Sequence, residues 1–417
     1  MAQAQTQGPV PHDDDLPYER TRQTVLARDA RREMLPYRRS VLFVVHTVTG
    51  ATRLWTVAEL LGRDNDDIQL VFTQAPDDHG DGVEEFLKER GMKRVSWEQA
   101  VAVSERYDLA IAASLGHLHV LRSQVVLMPH GAGHHKLVRR TNGDRVPTAR
   151  QVYGYDAQRL LHNGEVTPRT MVLSHDEQKE LLAASCPEAL DSAQVIGDPC
   201  YDQLAEAMLR RDEYRRDLEV PDNSGLVVVT STWGQDSLLW RRPELFRRLV
   251  DELPADRYRV MAVLHPNEWA RHGEFQLRSR FAGAEEKGLR LIPPDRGWQA
   301  AVTAADWVIG DQQGSVTLYA TVTRATVLLG VLAPHEVAPG APPERLPDIA
   351  PLIQDGLSLE RQLLAATARR RGYEAVTARI TSCPGEFATR FRRLVYDRLC
   401  LPEPSSPPRL PRLTLPW

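Results

Sequence analysis

The sequence predicts an α/β protein of two doubly wound, Rossmann-like domains. Three observations carry this prediction. Short, almost continuously apolar segments alternate with segments of helical periodicity, and the alternation occurs twice along the 417 residues. Strands that are apolar throughout are typical of parallel sheets covered by helices on both faces. Between the two series, residues 221–225 (PDNSG) form a turn-rich break, which marks a boundary between two domains.

The first series begins at Val41, and its helices are predicted over residues 53–61 and 83–90. A polar, arginine-rich loop follows at residues 139–150. A longer, charged helix over residues 201–218 would link the two domains. The predicted strands are VLFVVHTV, IQLVFTQA, RVSW, DLAIAAS, QVVLMPH, TMVLSH and AQVIGDP.

The second series repeats the pattern after the break, and helices are predicted at about residues 358–372 and 385–399. Residues 332–350 are rich in proline and predict a loop, and the tail from Pro402 to Trp417 predicts an extended segment. The predicted strands are LVVVTSTW, YRVMAVLHP, LRLIPP, DWVIGD and ATVLLG.

These segments predict the domain limits. Residues 1–40 would be a flexible leader, 41–219 an N-terminal Rossmann-like domain, 220–380 a C-terminal Rossmann-like domain, and 381–417 a helix with a proline-rich tail. If the two sheets face each other, their strand ends point into one cleft, which is the glycosyltransferase B (GT-B) architecture. Ligands bind at the carboxyl ends of strands in open α/β sheets, so candidate site residues are sought there.

Composition narrows the function classes. The formal net charge of −4 argues against a protein whose main role is to bind nucleic acid. The four scattered cysteines show neither a zinc pattern nor a disulfide framework, and the N-terminus lacks the apolar region of a signal peptide. No stretch approaches the ~20 apolar residues that cross a bilayer. We therefore expect a cytoplasmic protein with at most peripheral membrane contact.

The glycine-histidine loop QVVLMPHGAGHHK, residues 124–136, is the most informative segment. Its apolar run predicts a buried strand, and Gly131 and Gly133 let the backbone approach a ligand closely. His130 at the strand end is a candidate for chemistry near neutral pH, although a hydrogen-bonded structural histidine would show the same pattern. Histidines 130, 134 and 135 lie on one loop without a nearby acid, which matches no metal-ligand spacing, so no metal is expected.

Three strand ends in the second series carry further candidates. Asp311 and Gly314 precede a helix that opens with Ser315 and Thr317, and a helix start suits a phosphate, although Ser315 as an ordinary helix cap is the alternative. Three more residues lie at strand ends and could contact a diphosphate or serve only in packing and turns: Thr230, Ser231 and His265. Asp156, Asp198 and Glu268 are unplaced candidates for a second catalytic group.

The motif order resembles the CDP-glycerol glycerophosphotransferase family, the teichoic-acid primases and polymerases of GT-B fold. The motifs are the HG loop, VIGDPCYDQL, TSTWGQDSL, LHP and GDQQGSVTLYATVTRATVLLG, over residues 41–335. The resemblance implies that His130 is the catalytic histidine and that His265 contacts the donor phosphates. It also implies that Asp311 is the aspartate of the last motif, with Gly314 or Ser315 near its serines. Met128, Pro129 and Ala132 depart from the family's Trp-His-Gly-Thr motif.

The implied reaction moves a polyol-phosphate or glycosyl group from a CDP- or UDP-linked donor to an acceptor hydroxyl, without a cofactor, in cell-wall or specialised-metabolite biosynthesis. A histidine base suits this chemistry without large pKa tuning. Candidates for the acceptor side are His46, Gly131, Gly133 and His134. Two alternatives stay open: a sugar-nucleotide 2-epimerase or glycosyltransferase of the same fold, and a non-catalytic nucleotide-binding scaffold. Enzymes of the first kind usually carry a glutamate after the glycine-rich turn, where this chain has Thr317 and Tyr319.

Overall fold

Two parallel sheets form the frame of the protein in a computed structural model, which describes residues 37–63, 65, 67–137 and 151–417. A six-stranded sheet lies in the first half of the chain and a five-stranded sheet in the second, with helices on both faces of each. The predicted fold class, two doubly wound Rossmann-like domains of GT-B type, is confirmed. The expected leader, apart from its last residues, and the loop at 139–150 lie outside the described residues.

The first half contains the strands and helices of the larger sheet, together with a small hairpin. In chain order they are β1 (Arg39–Val45), α1 (Val48–Gly62), β2 (Ile68–Gln74), α2 (Val83–Glu89), α3 (Trp97–Ala102), β3 (Leu109–Ala112), β4 (Val125–Leu127), α4 (Ala157–Leu160), β5 (Leu161–His162), β6 (Glu165–Val166), β7 (Thr170–Leu173), α5 (Glu177–Ser185), β8 (Ala193–Val195), α6 (Pro199–Ala207) and α7 (Arg211–Asp217).

The second half contains the smaller sheet and the C-terminal helices. In chain order they are β9 (Gly225–Ser231), α8 (Leu238–Arg241), α9 (Glu244–Glu252), β10 (Tyr258–Leu264), α10 (Pro266–His272), α11 (Glu274–Glu285), β11 (Leu289–Ile292), α12 (Trp298–Ala304), β12 (Trp307–Asp311), α13 (Ser315–Ala320), β13 (Thr326–Val331), α14 (Leu346–Ile349), α15 (Leu359–Ala368), α16 (Tyr373–Thr377) and α17 (Phe387–Leu399).

The strand orders place a switch point in each sheet. The larger sheet runs β2-β1-β3-β4-β7-β8 and the smaller one β11-β10-β9-β12-β13, all parallel. Successive strands are therefore added on opposite sides of β1 and β9, and the strand order changes sense between β1 and β3 and again between β9 and β12. The crevice beyond the carboxyl ends of strands at such a point is where doubly wound sheets bind ligands. His46 directly follows β1, and Asp311 ends β12.

Burial on both sheet faces explains the apolar strands. From Val41 to Val45 every side chain of β1 is fully buried, and the same holds for residues 226–229 in β9. Removing apolar surface from water is the main favourable contribution to folding, at about 25 cal/mol per Å². Both faces of each strand pack against helices, so a polar face would be buried against apolar side chains. These strands therefore do not alternate between apolar and polar residues.

The C-terminal segment ties the two halves together. Helix α17 packs on the core of the first half through Phe387, Phe391 and Val395. The following extended tail then returns to the second half, where Leu413 joins the core and Gln203 Nε2 donates to the Pro411 carbonyl at 3.0 Å. The predicted extended tail is confirmed. Because the chain crosses over and back, separation of the two halves would strain this segment.

Some predicted elements were wrong. The segment RVSW, predicted as a strand, makes only a single bridge, between Arg94 and Phe72. Its serine, Ser96, instead caps α3 in a capping box with Gln99, so the helix begins where the strand was expected to continue. The helix expected over residues 201–218 is broken into α6, a short 3₁₀ turn and α7. The proposed domain limits at residues 40, 219 and 380 stay predictions. Among the described residues, no helix is both long and apolar enough to cross a membrane.

Candidate active site

A cleft of about 1160 Å³ lies between the two halves. Its wall combines residues from the carboxyl ends of both sheets, so it occupies the place where doubly wound sheets bind ligands. Of the residues singled out from sequence, the cleft is lined by His130, Gly131, Gly133, His134, Thr230, Ser231, His265, Gly314 and Ser315. Three of the predicted site residues, His46, Asp311 and Thr317, do not line it, and neither do the unplaced acids Asp156, Asp198 and Glu268.

His130 stands three residues beyond β4, and its tautomer is fixed. Its Nδ1 lies 2.9 Å from the carbonyl oxygen of Ala113, which only accepts, so Nδ1 carries the proton and Nε2 keeps its lone pair. Burial lowers the pKa of His130, opposed by that hydrogen bond and reinforced by the positive charges of Arg53 and Lys136. The ring is therefore neutral near pH 7 and has one nitrogen able to accept a proton.

His265 has the opposite tautomer. It is the N-cap residue of α10, and its Nδ1 accepts a hydrogen bond from the backbone N–H of Asn267 at 3.1 Å. Burial lowers the pKa of His265 well below its ordinary value, and the charges of Lys136 and His130 act in the same direction. A neutral ring with an unprotonated Nδ1 carries its proton on Nε2. The cleft thus contains one imidazole that accepts through Nε2 and one that donates through Nε2.

The glycine-histidine loop contacts the second half directly. The N–H of Ala132 donates to Ser315 Oγ at 3.3 Å, and His135 Nε2 donates to the carbonyl of Gln313 at 3.1 Å. A Cβ atom on Gly131 would lie 2.6 Å from Ser315 Oγ, closer than atoms in contact allow. The lack of a side chain at Gly131 therefore allows the two halves to approach each other closely at this point. The neighbour of Gly131 is thus a protein hydroxyl, and the predicted approach of this backbone to a ligand stays a prediction.

A tight turn precedes α13, and it does not depend on the backbone freedom of glycine. Gly314 has φ of −76°, a value open to other residues, and its N–H donates to the Asp311 carbonyl at 3.1 Å. A Cβ atom there would lie 3.0 Å from Thr317 Oγ1, so a larger side chain would require Thr317 to shift by a few tenths of an ångström. Helix α13 has only six residues, so its partial positive charge is small. Phosphate binding here would depend mainly on the individual N–H groups.

Asp311 is fully buried beneath the cleft. Its carboxylate accepts from the N–H of Thr232 at 2.5 Å and from the N–H of Leu238. Burial raises the pKa of Asp311 to about 6, although these hydrogen bonds act in the opposite direction. The side chain thus fixes the loop between β9 and α8, which contributes Thr232 and Trp233 to the cleft wall. Any contact of Asp311 with a ligand would be indirect.

The hydroxyl groups at the end of β9 are partly engaged. Ser231 Oγ donates to the Thr232 carbonyl and accepts from the N–H of Leu239, both at 2.9 Å. Thr230 lines the cleft with its side chain almost buried. Thr317 Oγ1 is buried, and within the described part of the chain it has no hydrogen-bond partner. Thr230 is therefore the better placed hydroxyl for a ligand.

The acceptor-side candidates divide in two. His134 lines the cleft, where burial lowers its pKa to about 3, and it packs edge-on against Tyr155 with ring centres 4.8 Å apart. His46 is buried outside the cleft and bonds through Nε2 to the Gly116 carbonyl at 2.7 Å. Gly133 has φ of +74°, the left-handed region that favours glycine. His46 thus supports the cleft wall from behind.

A buried network missed at the sequence level joins the two halves beside His130. Arg53 on α1 donates through Nη2 to the Gly131 carbonyl at 3.0 Å and to the Tyr319 hydroxyl at 2.8 Å, and its Nη1 lies 3.4 Å from Asp198 Oδ1. Tyr319 donates to Asp198 Oδ2 at 2.8 Å. Burial alone would lower the pKa of Arg53, but Tyr319 and Asp198 reverse this and shift it upward. The network holds the His130 loop in place.

One signal in the sequence indicated part of this network. Arg53 lies three residues after Gly50 and four before Val57, on the face of α1 that is otherwise apolar and buried. An arginine on an apolar helical face needs a partner of opposite charge in the core. Asp198 was noted as an unplaced candidate, and it also caps α6 through the N–H of Tyr201 at 2.8 Å.

The fold defines the class of the chain as GT-B. No family model matches the sequence, and no curated protein is similar to it in sequence. The fold is similar to that of a variant of the wall teichoic acid polymerase TagF soaked with CDPG, with TM-score 0.59, 11% identity, and coverage of 93% of this chain and 95% of that one. The unmodified TagF structure gives TM-score 0.54, 11% identity and coverage of 92% and 98%. UDP-GlcNAc 2-epimerase from Methanocaldococcus jannaschii follows with TM-score 0.49, 14% identity and coverage of 86% and 99%. At these identities the likeness shows the fold alone.

Proposed function

We propose that this chain is a transferase that moves a polyol-phosphate or glycosyl group from a nucleotide-diphosphate donor to an acceptor hydroxyl, with His130 as the base. The observation that carries the proposal is the pair of neutral histidines in one cleft with opposite tautomers. His130 keeps a lone pair on Nε2, and His265 keeps a proton on Nε2. A transfer to a hydroxyl needs both functions, a proton acceptor on one side and a donor to the leaving group on the other.

In the proposed step, His130 Nε2 takes the proton of the acceptor hydroxyl while the oxygen attacks the transferred group. The bond from that group to the donor's leaving phosphate oxygen breaks, and its electron pair leaves with the nucleotide. A base whose pKa lies below its ordinary value stays unprotonated at neutral pH, so it is ready before the acceptor arrives. General base catalysis of this kind contributes about 10²–10⁴ in rate.

On the donor side, the leaving phosphate gathers negative charge. His265 Nε2–H, the Thr230 hydroxyl and the first N–H groups of α13 at Ser315 are the groups in the cleft wall that can donate to it. Donors fixed in advance stabilise developing charge without reorganisation. The transfer step proposed here uses no cofactor and no metal ion.

The partners proposed are a CDP- or UDP-linked donor and a hydroxyl-bearing acceptor, with no nucleic acid. Two aromatic groups, Trp233 and Trp298, line the donor half of the cleft and can contact a nucleotide by stacking. We also propose a cytoplasmic location with at most peripheral membrane contact and a role in cell-wall or specialised-metabolite biosynthesis. All four cysteines lie within the described residues and are free thiols, which supports a reducing compartment.

A second candidate is a nucleotide-binding scaffold without activity. It is favoured by the hydroxyl groups of Ser315 and Ser231, which already have protein partners. An epimerase or glycosyltransferase of the same fold remains the alternative within enzymes. The products separate these candidates: a transferase, of a polyol phosphate or of a sugar, gives a transferred group, an epimerase gives an inverted sugar, and a scaffold gives no product.

The experiment that tests the proposal is a donor screen followed by product analysis. CDP-glycerol, other CDP-polyols, UDP-sugars and the free nucleotides are compared by thermal shift, since a ligand at ~100 times its dissociation constant stabilises a protein by about 2.7 kcal/mol. Each stabilising donor is then incubated with glycerol-phosphate and sugar acceptors, and the products are read by mass spectrometry. A transferred group supports the proposal. Binding without any product across the panel supports the scaffold, and an inverted sugar supports the epimerase.

A further inference from the structure

One aromatic ring is held exposed in the first-half wall of the cleft. Tyr153 lines the cleft and is 48% exposed, whereas its neighbours Val152 and Tyr155 are buried in the core of the first half. The Tyr153 N–H donates to the Lys136 carbonyl at 2.8 Å, so its backbone is tied to the glycine-histidine loop. The ring therefore belongs to the half of the cleft that contributes His130, whereas the proposed donor groups belong to the second half.

A guanidinium group lies over this ring. The Cζ atom of Arg159 is 4.5 Å from the centre of the Tyr153 ring, within the ~6 Å over which a cation is attracted to an aromatic face. Arg159 Nη1 donates to Asp156 Oδ1 at 2.9 Å, and Asp156 is 1% exposed. The same carboxylate accepts from the N–H of Gly154 at 3.2 Å through Oδ2. A buried carboxylate thus fixes the guanidinium, and the guanidinium in turn fixes the ring.

The ion pair leaves this part of the cleft wall without net charge. Arg159 and Asp156 carry opposite charges 2.9 Å apart, so the Asp156 charge opposes the attraction of an anion to Arg159. Gln158, which is exposed and lines the cleft, adds an uncharged amide. A neutral ligand with one apolar face and several hydroxyl groups matches these surroundings. A pyranose ring has this form, because its axial C–H groups make a flat apolar face and its hydroxyls lie around the rim.

The size of the cleft allows such a ligand beside a nucleotide. Its volume of about 1160 Å³ exceeds the ~300–1,000 Å³ of pockets that hold one small molecule. The proposed donor groups, Thr230, His265 and Ser315, lie in the second-half wall. The first-half wall is therefore left for the acceptor.

We propose that Tyr153, Gln158 and Arg159 form an acceptor subsite that binds a neutral pyranoside. The apolar face of the sugar stacks on the Tyr153 ring, and its hydroxyls bond to the Gln158 amide and to guanidinium N–H groups. The role of this sugar as the acceptor rests on the proposed transferase function. Single exposed tyrosines are common on protein surfaces. This one differs in its place in the cleft wall and in the guanidinium fixed against its ring.

The first test measures sugar binding to the full chain by saturation-transfer difference NMR, without a donor. The probes are the methyl β-pyranosides of glucose, galactose and N-acetylglucosamine, with glucitol as the acyclic comparison and glycerol 3-phosphate as the anionic one. For at least one pyranoside we expect saturation of the ring C–H protons and a Kd of about 1 mM. Glucitol should bind at least ~5-fold more weakly, because a flexible chain loses more conformational freedom when it is bound.

Substitutions locate the bound sugar. Binding should weaken by at least ~5-fold in Y153A and stay near the wild-type value in Y153F, since stacking needs the ring and not the hydroxyl. Because Tyr153 is exposed, Y153A should keep the fold, which circular dichroism verifies. The matched control is W240A, which removes an exposed aromatic ring outside the cleft and should leave sugar binding unchanged.

The second test measures transfer with the donor that the screen identifies. Y153A should raise the KM for a pyranoside acceptor by at least ~10-fold, while the KM for the donor stays near the wild-type value. A purely structural role of Tyr153 would change both KM values.

Three results would overturn the subsite. They are no saturation transfer to any pyranoside from the wild-type chain at about 20 mM sugar, equal pyranoside binding by Y153A, and Tyr153-dependent binding of glycerol 3-phosphate while the pyranosides do not bind. Pyranoside binding that depends on Tyr153, without transfer by the wild-type chain to any acceptor, would instead support the sugar site and contradict the transferase function. Failure of the subsite and failure of the proposed function are therefore distinguishable.

Discussion

The buried network around Arg53 makes a quantitative prediction for the substitution Tyr319→Phe. The Tyr319 hydroxyl accepts from the Arg53 guanidinium and donates to the Asp198 carboxylate, both at 2.8 Å. Phenylalanine removes the oxygen but keeps the ring, whose packing against Trp298 at 5.9 Å between centres is retained. The effect therefore isolates the two hydrogen bonds.

The magnitude follows from the charges involved. Hydrogen bonds to charged groups contribute about 1.5–3 kcal/mol each and are not additive when they share an atom, so we expect Tyr319→Phe to lower the free energy of unfolding by about 2–4 kcal/mol. Arg53 and Asp198 are 7% and 0% exposed, so water does not replace the lost partner. Because Arg53 also holds the Gly131 carbonyl, we expect the proposed transfer activity to fall along with stability.

The assay is equilibrium urea unfolding followed by circular dichroism and tryptophan fluorescence. The matched control is Tyr258→Phe, because Tyr258 also donates to a carboxylate, that of Glu360 at 3.0 Å, but in a partly exposed position. The Glu360 carboxylate is 25% exposed and also pairs with Arg257 at 2.7 Å, so water and Arg257 can satisfy it, and we expect a change of less than ~1 kcal/mol there. Equal effects of the two substitutions would refute the view that the network is a buried link between the halves.

Three further predictions concern single residues in the cleft wall or directly beneath it. Gly131→Ala places a Cβ atom 2.6 Å from Ser315 Oγ, so transfer should fall by at least ~10-fold and recover in the G131A/S315A double variant. The control is Gly283→Ala on α11, where the added Cβ meets open space and should raise the free energy of unfolding by about 0.5–1 kcal/mol in urea unfolding. No loss of transfer in G131A would contradict the contact. Since burial lowers the pKa of His130, kcat/KM measured against pH should be flat near pH 7 and fall only on acidification below about 6.5; an acid limb above that value would exclude this base. The pKa of Asp311 is raised to about 6 from an unfolded value near 3.8, so its contribution to stability is full below pH ~4 and is lost as pH rises to about 6. Asp311→Asn should therefore flatten the plot of the free energy of unfolding against pH in this range. An unchanged slope would show that another group causes it.

The sequence allowed the sheets and their strand ends to be predicted because those features are local. A run such as QVVLM is apolar at every position, which occurs in a strand covered on both faces, and the glycines that follow mark the loop. The same reasoning placed His130 and His265 at strand ends, and the structure brings both to one cleft. RVSW failed because a capping box at Ser96 and Gln99 outweighs a short β-prone string.

The features that escaped prediction depend on tertiary contacts. Whether a strand-end residue faces the cleft or the loop behind it is not encoded locally, which is why Asp311 proved to be a buried anchor for backbone N–H groups. The tautomers of the two histidines depend on Ala113 and Asn267, and the first of these is 17 residues from its partner. Tyr319 meets Arg53 across 266 positions of sequence.

The central claim is that His130 acts as the base of a group transfer in this cleft. Its most direct test is single-turnover transfer by His130→Ala with the donor and acceptor identified by the screen, compared with His119→Ala, which changes an exposed histidine outside the cleft. We predict a loss of about 10²–10⁴ in rate for H130A with donor affinity and fold unchanged, and wild-type transfer for H119A. Transfer by H130A at a rate near that of the wild type would contradict the claim.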